Sequence, residues 1–402
     1  MDSSPLAHEK GSPSAATVLV HVNFLLTGIV MTFLGPMLPY LSARWGINDA
    51  LAGRLFLVQF VSSMAGMFSS SALVERYGYR ATFVLGLMLM STGMALLASA
   101  PYWLGVVAVG VLGMGHGITT PAGNLRTAEI NPQGSASALN VINAVWGIGA
   151  MTPAFLLDIA RKLHHPVWFL YGTAIALGIL LFAFATLPFV PDTRARLSVA
   201  GSERERVRIS MVFVIATIFF LYVGAETAFG QWVATYAHRL EPTRTLWTLM
   251  PSLFYGALLV GRMTAPVALR FMQETTVATA GLTFALLGGL ALLETRGMNL
   301  VIAGSLLTGL GLASIFPISV ALFPRWFRDS AGRVSGAVFS GGNMGGAVLP
   351  WLVGVISTRF ESLRLGFFAP VLAVLLMLMF YVSQGISGRK LQTGTAELAI
   401  RP

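Results

Sequence analysis

The chain has 402 residues, of which 55% are hydrophobic and 10% are charged. An average soluble domain carries about 25% charged residues, so the composition excludes an ordinary soluble protein and indicates an integral membrane protein. The absence of cysteine excludes disulfides and cysteine-based metal or nucleophilic sites. The net charge of +10 lies in short segments between apolar runs. That pattern sets the orientation of a membrane protein and does not predict a nucleic-acid partner.

Twelve apolar runs are each long enough to cross a bilayer, which takes roughly 20 residues. The predicted spans are 17–43, 50–73, 81–100, 102–127, 135–158, 166–188, 210–237, 245–267, 275–294, 298–323, 332–357 and 365–386. The basic linker 191–209 divides this all-α fold into six-helix bundles at 17–190 and 210–387, between a disordered tail at 1–16 and a second tail at 388–402. The distribution of Lys and Arg predicts that both termini are cytoplasmic.

Several spans of the first half carry polar side chains that are candidates for solute contact. The fourth span has a polar stripe on one helix face, which more often borders a cavity than lipid. The fifth span presents asparagine amides, which can both donate to and accept from sugar hydroxyls. The predicted solute residues of this half are Asn23, Gln59, His116, Thr120, Asn124, Asn140, Asn143 and Trp146.

Four of these residues have an alternative structural interpretation. Asn23 and Gln59 can equally form helix–helix hydrogen bonds. A neutral, hydrogen-bonded ring is the favoured interpretation of His116. The indole of Trp146 can stack on a pyranose ring or pack at a helix interface.

Glu226 is the most informative residue of the second half, because it lies well inside the apolar run from Met211 to His238. A charge near the middle of a membrane helix costs on the order of 3 kcal/mol, and such residues usually face a bundle interior or a wet cavity. The alternative is a protonated glutamate that only hydrogen-bonds a neighbouring helix. The predicted solute residues of this half are Tyr222, Glu226, Phe229, Gln231, Trp232 and Asn343. Gln231 and Trp232 share the face of Glu226 only if the helix unwinds locally.

Glycines and prolines recur between the two halves in the same order and at offsets of roughly 196 and 197 residues. The recurring pairs are Gly113 with Gly309, Gly115 with Gly311, Pro121 with Pro317, Gly149 with Gly346 and Pro153 with Pro350. Two similar six-helix halves with a solute site between them are typical of a secondary transporter.

The segment after the second span resembles the signature loop of the major facilitator superfamily, G-x-L-x-D-R-x-G-x-R. Glu75, Arg76, Gly78 and Arg80 match this pattern, with Glu75 in place of Asp and Ser71 in place of the first Gly. The segment from 261 to 270 resembles a degenerate second copy, in which Arg262 is expected to be structural.

A finer resemblance is to the branch that contains bacterial fucose, glucose and galactose proton symporters. It rests on residues 222–226 with Trp232, and on residues 143–150. It implies a monosaccharide and a proton as substrates. Acids that members of this branch carry in the first and fourth spans are missing or displaced here, since Glu129 lies at the end of the fourth span. Glu226 is therefore the predicted proton-coupling residue.

A rocking-bundle mechanism exposes a midplane site to each side of the membrane in turn. We expect Glu75 to pair with Arg333 and latch the outward-facing state from the cytoplasmic side. The predicted gating residues are Glu75, Arg76, Arg80, Arg126, Glu129 and Arg333.

Other functions remain open at this level. The chain shows no catalytic pairing, phosphate loop, cofactor motif or metal cluster, so no enzyme and no cofactor are predicted. The alternatives are a drug or amphiphile/proton antiporter, a carrier of a lipid or peptidoglycan fragment, an uncoupled sugar facilitator and a non-transporting nutrient sensor. We expect a monomer in the lipid bilayer of the bacterial inner membrane.

Overall fold

A computed structural model describes residues 15–186, 209–243, 245–294, 297–319 and 331–399, and within these ranges it contains helices and no strand. The α-helices are α1 (Ala15–Thr32), α2 (Leu34–Trp45), α3 (Asp49–Ser99), α4 (Tyr102–Ile130), α5 (Ser135–Lys162), α6 (Trp168–Thr186), α7 (Ile209–Leu240), α8 (Met250–Ala268), α9 (Glu274–Glu294), α10 (Met298–Leu312), α11 (Ala331–Phe360), α12 (Leu363–Gly366) and α13 (Phe368–Ala399). A 3₁₀ helix, Thr245–Leu249, precedes α8.

The predicted all-α fold with twelve spans is confirmed. Within the described ranges, nine helices are each long and apolar enough to cross a membrane, and α1 with α2, bent by 42° at their junction, forms a tenth span. The 51-residue helix α3 holds two of the predicted spans, and α8 accounts for the last one. The domain boundaries stay predictions, because most of the linker 191–209 lies outside the described residues. The predicted tail at 388–402 continues α13 as helix as far as Ala399.

The predicted loop after the second span is reduced to a single residue. α3 consists of two helices that meet at Gly78, where the backbone is non-helical with φ of 80° and ψ of 169°. A φ of this sign is open to glycine and strained for other residues. One glycine of the signature segment therefore lets the chain turn between two spans without a separate loop.

The internal repeat is visible in how the helices pack. A methyl group added to Gly113 of α4 would overlap the carbonyl oxygen of Gln59 in α3. A methyl group added to Gly309 of α10 would overlap the carbonyl oxygen of Phe254 in α8. Glycine at both sites allows the close backbone approach that membrane helices use in place of a hydrophobic driving force. The two glycines and their two partners are separated by nearly the same sequence offset, so the same packing occurs in both halves.

A second packing pair corrects one detail of the predicted repeat. A methyl group on Gly149 of α5 would overlap the carbonyl oxygen of Leu25, and one on Gly345 of α11 would overlap that of Phe220. Gly346, the predicted counterpart of Gly149, instead packs against the Phe60 ring of the other half. By its contacts, Gly345 is therefore the residue equivalent to Gly149.

Gly345→Ala is expected to destabilise the protein by about 1–3 kcal/mol, the usual cost of forcing a methyl group into a packed interior. The new methyl group would have to push α11 away from the backbone of α7 at Phe220. The same substitution at Gly336, also in α11, meets no atom within 4 Å and serves as the control. The comparison is the thermal denaturation midpoint of the two variants in one detergent. Equal midpoints would contradict the close approach of α7 and α11.

Candidate functional site

An ion pair between Glu226 of α7 and Arg262 of α8 is the main polar feature of the second half. The Arg262 Nη2 atom donates to Glu226 Oε2 at 2.9 Å and lies 2.8 Å from the Tyr222 hydroxyl oxygen. The Tyr222 hydroxyl also donates to Glu226 Oε2. The Arg262 and Glu226 side chains are 24% and 12% exposed. Each charge is thus compensated inside the membrane, where a lone charge would be costly.

Arg262 was expected to be structural, and its guanidinium pairs with Glu226 of the neighbouring helix. Aromatic rings form the walls around the pair. The Arg262 Cζ atom lies 5.8 Å from the centre of the Phe316 ring, which is itself 6.2 Å from the Tyr222 ring. The Tyr255 hydroxyl lies close to the backbone of α7 at Gly230. The cluster therefore combines one cation, one carboxylate and two phenols in an otherwise apolar region.

α7 does not unwind, so Gln231 and Trp232 point away from Glu226. Gln231 Nε2 donates to the carbonyl oxygen of Met31 in α1 at 3.0 Å, and Trp232 Nε1 donates to that of Pro350 at 2.8 Å. The local unwinding that would bring these two residues round to Glu226 does not occur, and the intact helix directs both side chains to neighbouring helices. Phe229, also on α7, is buried and stacks on Phe367 with ring centres 5.9 Å apart.

Two predicted residues of the first half lie in its core. Gln59 is fully buried, and its Nε2 donates to the carbonyl oxygen of Val30 at 3.0 Å, beside the bend between α1 and α2. Gln59 and Gln231 therefore hold the same bend from opposite halves of the protein. Asn23 is also fully buried, and its amide has no hydrogen-bond partner among the described residues. Its role as a solute residue stays a prediction.

The polar stripe of α4 is partly used inside the first half. Both ring nitrogens of His116 have hydroxyl partners, Ser63 Oγ at 3.0 Å and Thr120 Oγ1 at 3.3 Å. This geometry supports the structural interpretation of His116. Asn124, further along the stripe, is half-buried.

The asparagines of the fifth and eleventh spans are more exposed than Asn23, which is fully buried. Asn140 and Asn143 of α5 are exposed, and Asn343 of α11 is half-buried. The Asn143 amide nitrogen donates to the Leu139 carbonyl oxygen at 2.8 Å within its own helix. These residues remain predicted solute contacts.

A small apolar plug joins the two halves near the middle of the bundle. Its buried members are Met31 and Phe60 from the first half and Ala347 from the second. Trp146 and Val223 pack against them. Val223 precedes Glu226 by one helical turn, so the plug lies at about the same depth as the ion pair.

The end of the bundle at which α3 begins and α7 ends is closed by an ionic latch between the halves. Asp49 and Arg239 form a bidentate pair, with oxygen–nitrogen distances of 2.8 and 2.5 Å. Ser357 of α11 donates to the same carboxylate. The Ala50 backbone nitrogen donates to Thr358 Oγ1 at 2.8 Å. We call this set, Asp49 with Arg239 and Ser357, the Asp49 latch.

Further contacts close the same end between α5 and the start of α8. Thr248 Oγ1 donates to Asp158 Oδ1 at 3.2 Å, and Ser252 Oγ donates to the Met151 carbonyl oxygen at 2.5 Å. The Arg161 guanidinium lies 4.7 Å from the centre of the Trp247 ring. The Asp49 end is therefore sealed across two pairs of helices.

The predicted gating residues lie at the other end of the first half. Glu75, Arg76 and Arg80 are exposed, and Arg80 Nε donates to the Phe184 carbonyl oxygen at 3.0 Å. The side chain of Arg333 lies outside the described residues, so the Glu75–Arg333 latch stays a prediction.

Arg126 and Glu129 form a separate cluster within the first half. An Arg126 nitrogen lies 3.7 Å from Glu129, which also accepts from the Tyr79 hydroxyl at 2.6 Å. Both residues therefore interact within their own half of the protein.

Sequence reasoning missed Asp49, Arg239 and Arg262. For Arg262 a signal existed, because an arginine inside an apolar span needs a partner and Glu226 is the one acid that lies deep inside a predicted span of the second half. For Asp49 and Arg239 no local pattern exists, since each lies at a span end where unpaired charges are common.

The chain matches the family model of the Major Facilitator Superfamily over residues 20–294. It belongs to the major facilitator superfamily, and it is a multi-pass membrane transporter of that family and not an enzyme. A glucose/mannose transporter of Bacillus subtilis (strain 168) is 20% identical over 349 residues, which cover 82% of this chain and 85% of that protein. A glucose/galactose transporter of Brucella abortus biovar 1 (strain 9-941) is 23% identical over 373 residues, covering 87% and 89%.

Solved structures show the same fold. The crystal structure of the nucleoside transporter NupG superposes with a TM-score of 0.73 at 14% identity, covering 92% of this chain and 98% of that one. At this identity the likeness concerns the fold alone.

Proposed function

We propose that this protein carries a monosaccharide across the bacterial inner membrane by alternating access, together with a proton. Two observations support a sugar as the substrate. The first is that curated relatives named as glucose/mannose and glucose/galactose transporters span most of the chain. Exposed or half-buried amides on α5 and α11, at Asn140, Asn143 and Asn343, offer suitable hydrogen-bonding groups for sugar hydroxyls.

The observation that carries the proposal is the Glu226–Arg262–Tyr222 cluster. It places a titratable carboxylate and its counter-charge inside the membrane, next to the plug where the halves meet. Intramembrane ionisable groups in transporters mark substrate and proton pathways. Glu226 is the group we assign to the coupling proton.

The closed Asp49 end fits one state of the cycle. With both termini in the cytoplasm, Asp49 lies on the outer side, and the Asp49 latch closes the protein on that side. The described conformation is then closed toward the outer side. Rocking of the halves 17–190 and 210–387 about the plug would break the Asp49 latch and open the outer side.

The ion pair itself favours a second candidate, uncoupled facilitated transport. The Arg262 guanidinium lies 2.9 Å from the Glu226 carboxylate and gives it a permanent counter-charge within the protein. A carboxylate that stayed ionised throughout the cycle would bind solute but carry no proton. Transport without a proton requirement would identify this second function.

Entrance counterflow tests the transport function without assuming coupling. Proteoliposomes are preloaded with an unlabelled sugar, and transient accumulation of the same labelled sugar is measured for glucose, galactose, fucose and the acidic sugar galacturonate. We expect at least one sugar to give counterflow above protein-free liposomes. Absence of counterflow for every neutral and acidic monosaccharide would overturn the proposed function while leaving the family assignment intact.

A further inference from the structure

Arg262 has hydrogen-bonding capacity that its partners do not use. A guanidinium presents five N–H donors in a rigid fork that suits a carboxylate bound at two points. Here the single atom Nη2 serves both Glu226 and Tyr222, and Glu226 is bound at one point through Oε2. Arg262 Nε is buried and has no hydrogen-bond partner among the described residues.

Such a donor is unusual in the interior of a membrane protein. Buried polar groups nearly always have partners, and one that lacks a partner needs an explanation. Arg262 is still 24% exposed, so the side chain is not sealed off from its surroundings. Because Nε itself is buried, a solute oxygen reaches it only when the side chains around the guanidinium move aside.

The charges around the pair limit what that solute can be. Glu226 is the only Asp or Glu in α7, in α8 and in residues 298–319, the segments that supply the cluster. The other ionisable groups that face it are the phenols of Tyr222 and Tyr255. The basic residues His238 and Arg239 lie at the far end of α7, and Arg359 lies at the end of α11. Arg333 of α11 has its side chain outside the described part of the chain.

Protonation of Glu226 would change the net charge of the Glu226–Arg262 pair. The neutral acid would no longer compensate Arg262, leaving one net positive charge in the membrane interior. A neutral sugar cannot restore the balance, whereas a monoanion restores it in full. A solute phosphate dianion would leave one negative charge in excess, so a carboxylate fits better.

We propose that Arg262 is a specificity-determining residue that binds a carboxylate of the solute, and that the substrate class is an acidic monosaccharide. This inference rests on the proposed function. In the loaded state, the solute carboxylate accepts from Arg262 Nε, the donor that has no partner among the described residues. One proton, taken up from the outer solution, resides on Glu226. Proton and anion then cross together without net charge movement and separate on the inner side.

The test is competition for binding of labelled galacturonate to the purified full chain in detergent. Unlabelled galacturonate, galactose and glucose 6-phosphate are compared by their half-maximal competing concentrations. For the wild type we expect galacturonate to compete at least tenfold better than either of the other two. Equal competition by galactose, or better competition by glucose 6-phosphate, would overturn the carboxylate assignment.

Variants of the pair separate recognition from folding. Arg262→Gln is expected to abolish the preference for galacturonate, and Arg262→Lys to retain part of it, because lysine keeps the charge but lacks the fork. Glu226→Gln/Arg262→Gln removes both charges and leaves no unpaired ion, so it keeps the test valid if Arg262→Gln fails to fold. Arg364→Gln is the control, because Arg364 pairs with Glu294 outside the site and that glutamate is 79% exposed.

The outcomes distinguish this inference from the proposed function. A double variant that still preferred galacturonate would overturn the role of Arg262. Galactose counterflow at an unchanged rate in Arg262→Gln would also overturn the role of Arg262, while upholding sugar transport. Failure of every sugar in counterflow would remove the proposed function and this inference with it.

Discussion

Asp49→Asn is expected to shift the protein toward the state in which the Asp49 end is open. The substitution removes the charge that holds Arg239 in a bidentate pair and weakens the hydrogen bond from Ser357. Breaking a fully buried ion pair costs about 3–5 kcal/mol. The Arg239 side chain is 48% exposed, so solvent screening reduces the expected loss to about 1–2 kcal/mol. About 1.4 kcal/mol corresponds to a tenfold change in the ratio of the two states.

Distances between spin labels attached to introduced cysteines measure this shift directly. The chain has no native cysteine that would have to be removed first. Labels at Leu163 and Phe360, both exposed, report on the Asp49 end. Labels at Tyr77 and Ala337, also exposed, report on the opposite end. In Asp49→Asn the first distance should lengthen and the second shorten.

Glu361→Gln is the control for that experiment, since it neutralises an exposed carboxylate near the same end without touching the latch. Its distance distributions should match those of the wild type. Unchanged distributions in Asp49→Asn would mean that the ionic latch does not hold this end closed.

Glu226→Gln is expected to abolish accumulation of sugar against a gradient while exchange continues. Glutamine has nearly the same shape, and its amide oxygen can still accept from Arg262 and Tyr222. It cannot exchange a proton, however, so the cycle loses its coupling step. The variant should give counterflow but equilibrate labelled sugar at the external concentration under an inward proton gradient.

Glu294→Gln provides the matched carboxylate control, because Glu294 lies at the end of α9 and pairs at the surface with Arg364. It should accumulate sugar like the wild type. If Glu226→Gln accumulated sugar to the wild-type level, another group would have to carry the proton.

The sequence predicts the fold well, because the membrane imposes a strong and simple pattern. Spans follow from apolar runs of sufficient length, as in α4, α7 and α9. The repeat follows from glycines such as Gly113 and Gly309, whose close packing tolerates no side chain. These features are local, so one stretch of chain is enough to recognise them.

The site is predicted only in part, because its partners lie far apart in the chain. Glu226 stands out alone, but its partner Arg262 had to be found 36 residues away on another helix. The Asp49 latch joins residues 190 positions apart, at span ends where a charge is unremarkable. Gln231 and Trp232 would face Glu226 only in an unwound α7, and the intact helix instead lets them bond to neighbouring backbones. Tertiary packing decided these orientations.

Net uptake by the wild type under an imposed proton gradient tests the central claim most directly. Proteoliposomes with an acidic exterior are given the labelled sugar that shows counterflow, with and without a protonophore. The account predicts accumulation above the external concentration and its collapse when the protonophore is added. Uptake that stops at the external concentration, with or without the gradient, would contradict proton coupling and identify an uncoupled facilitator.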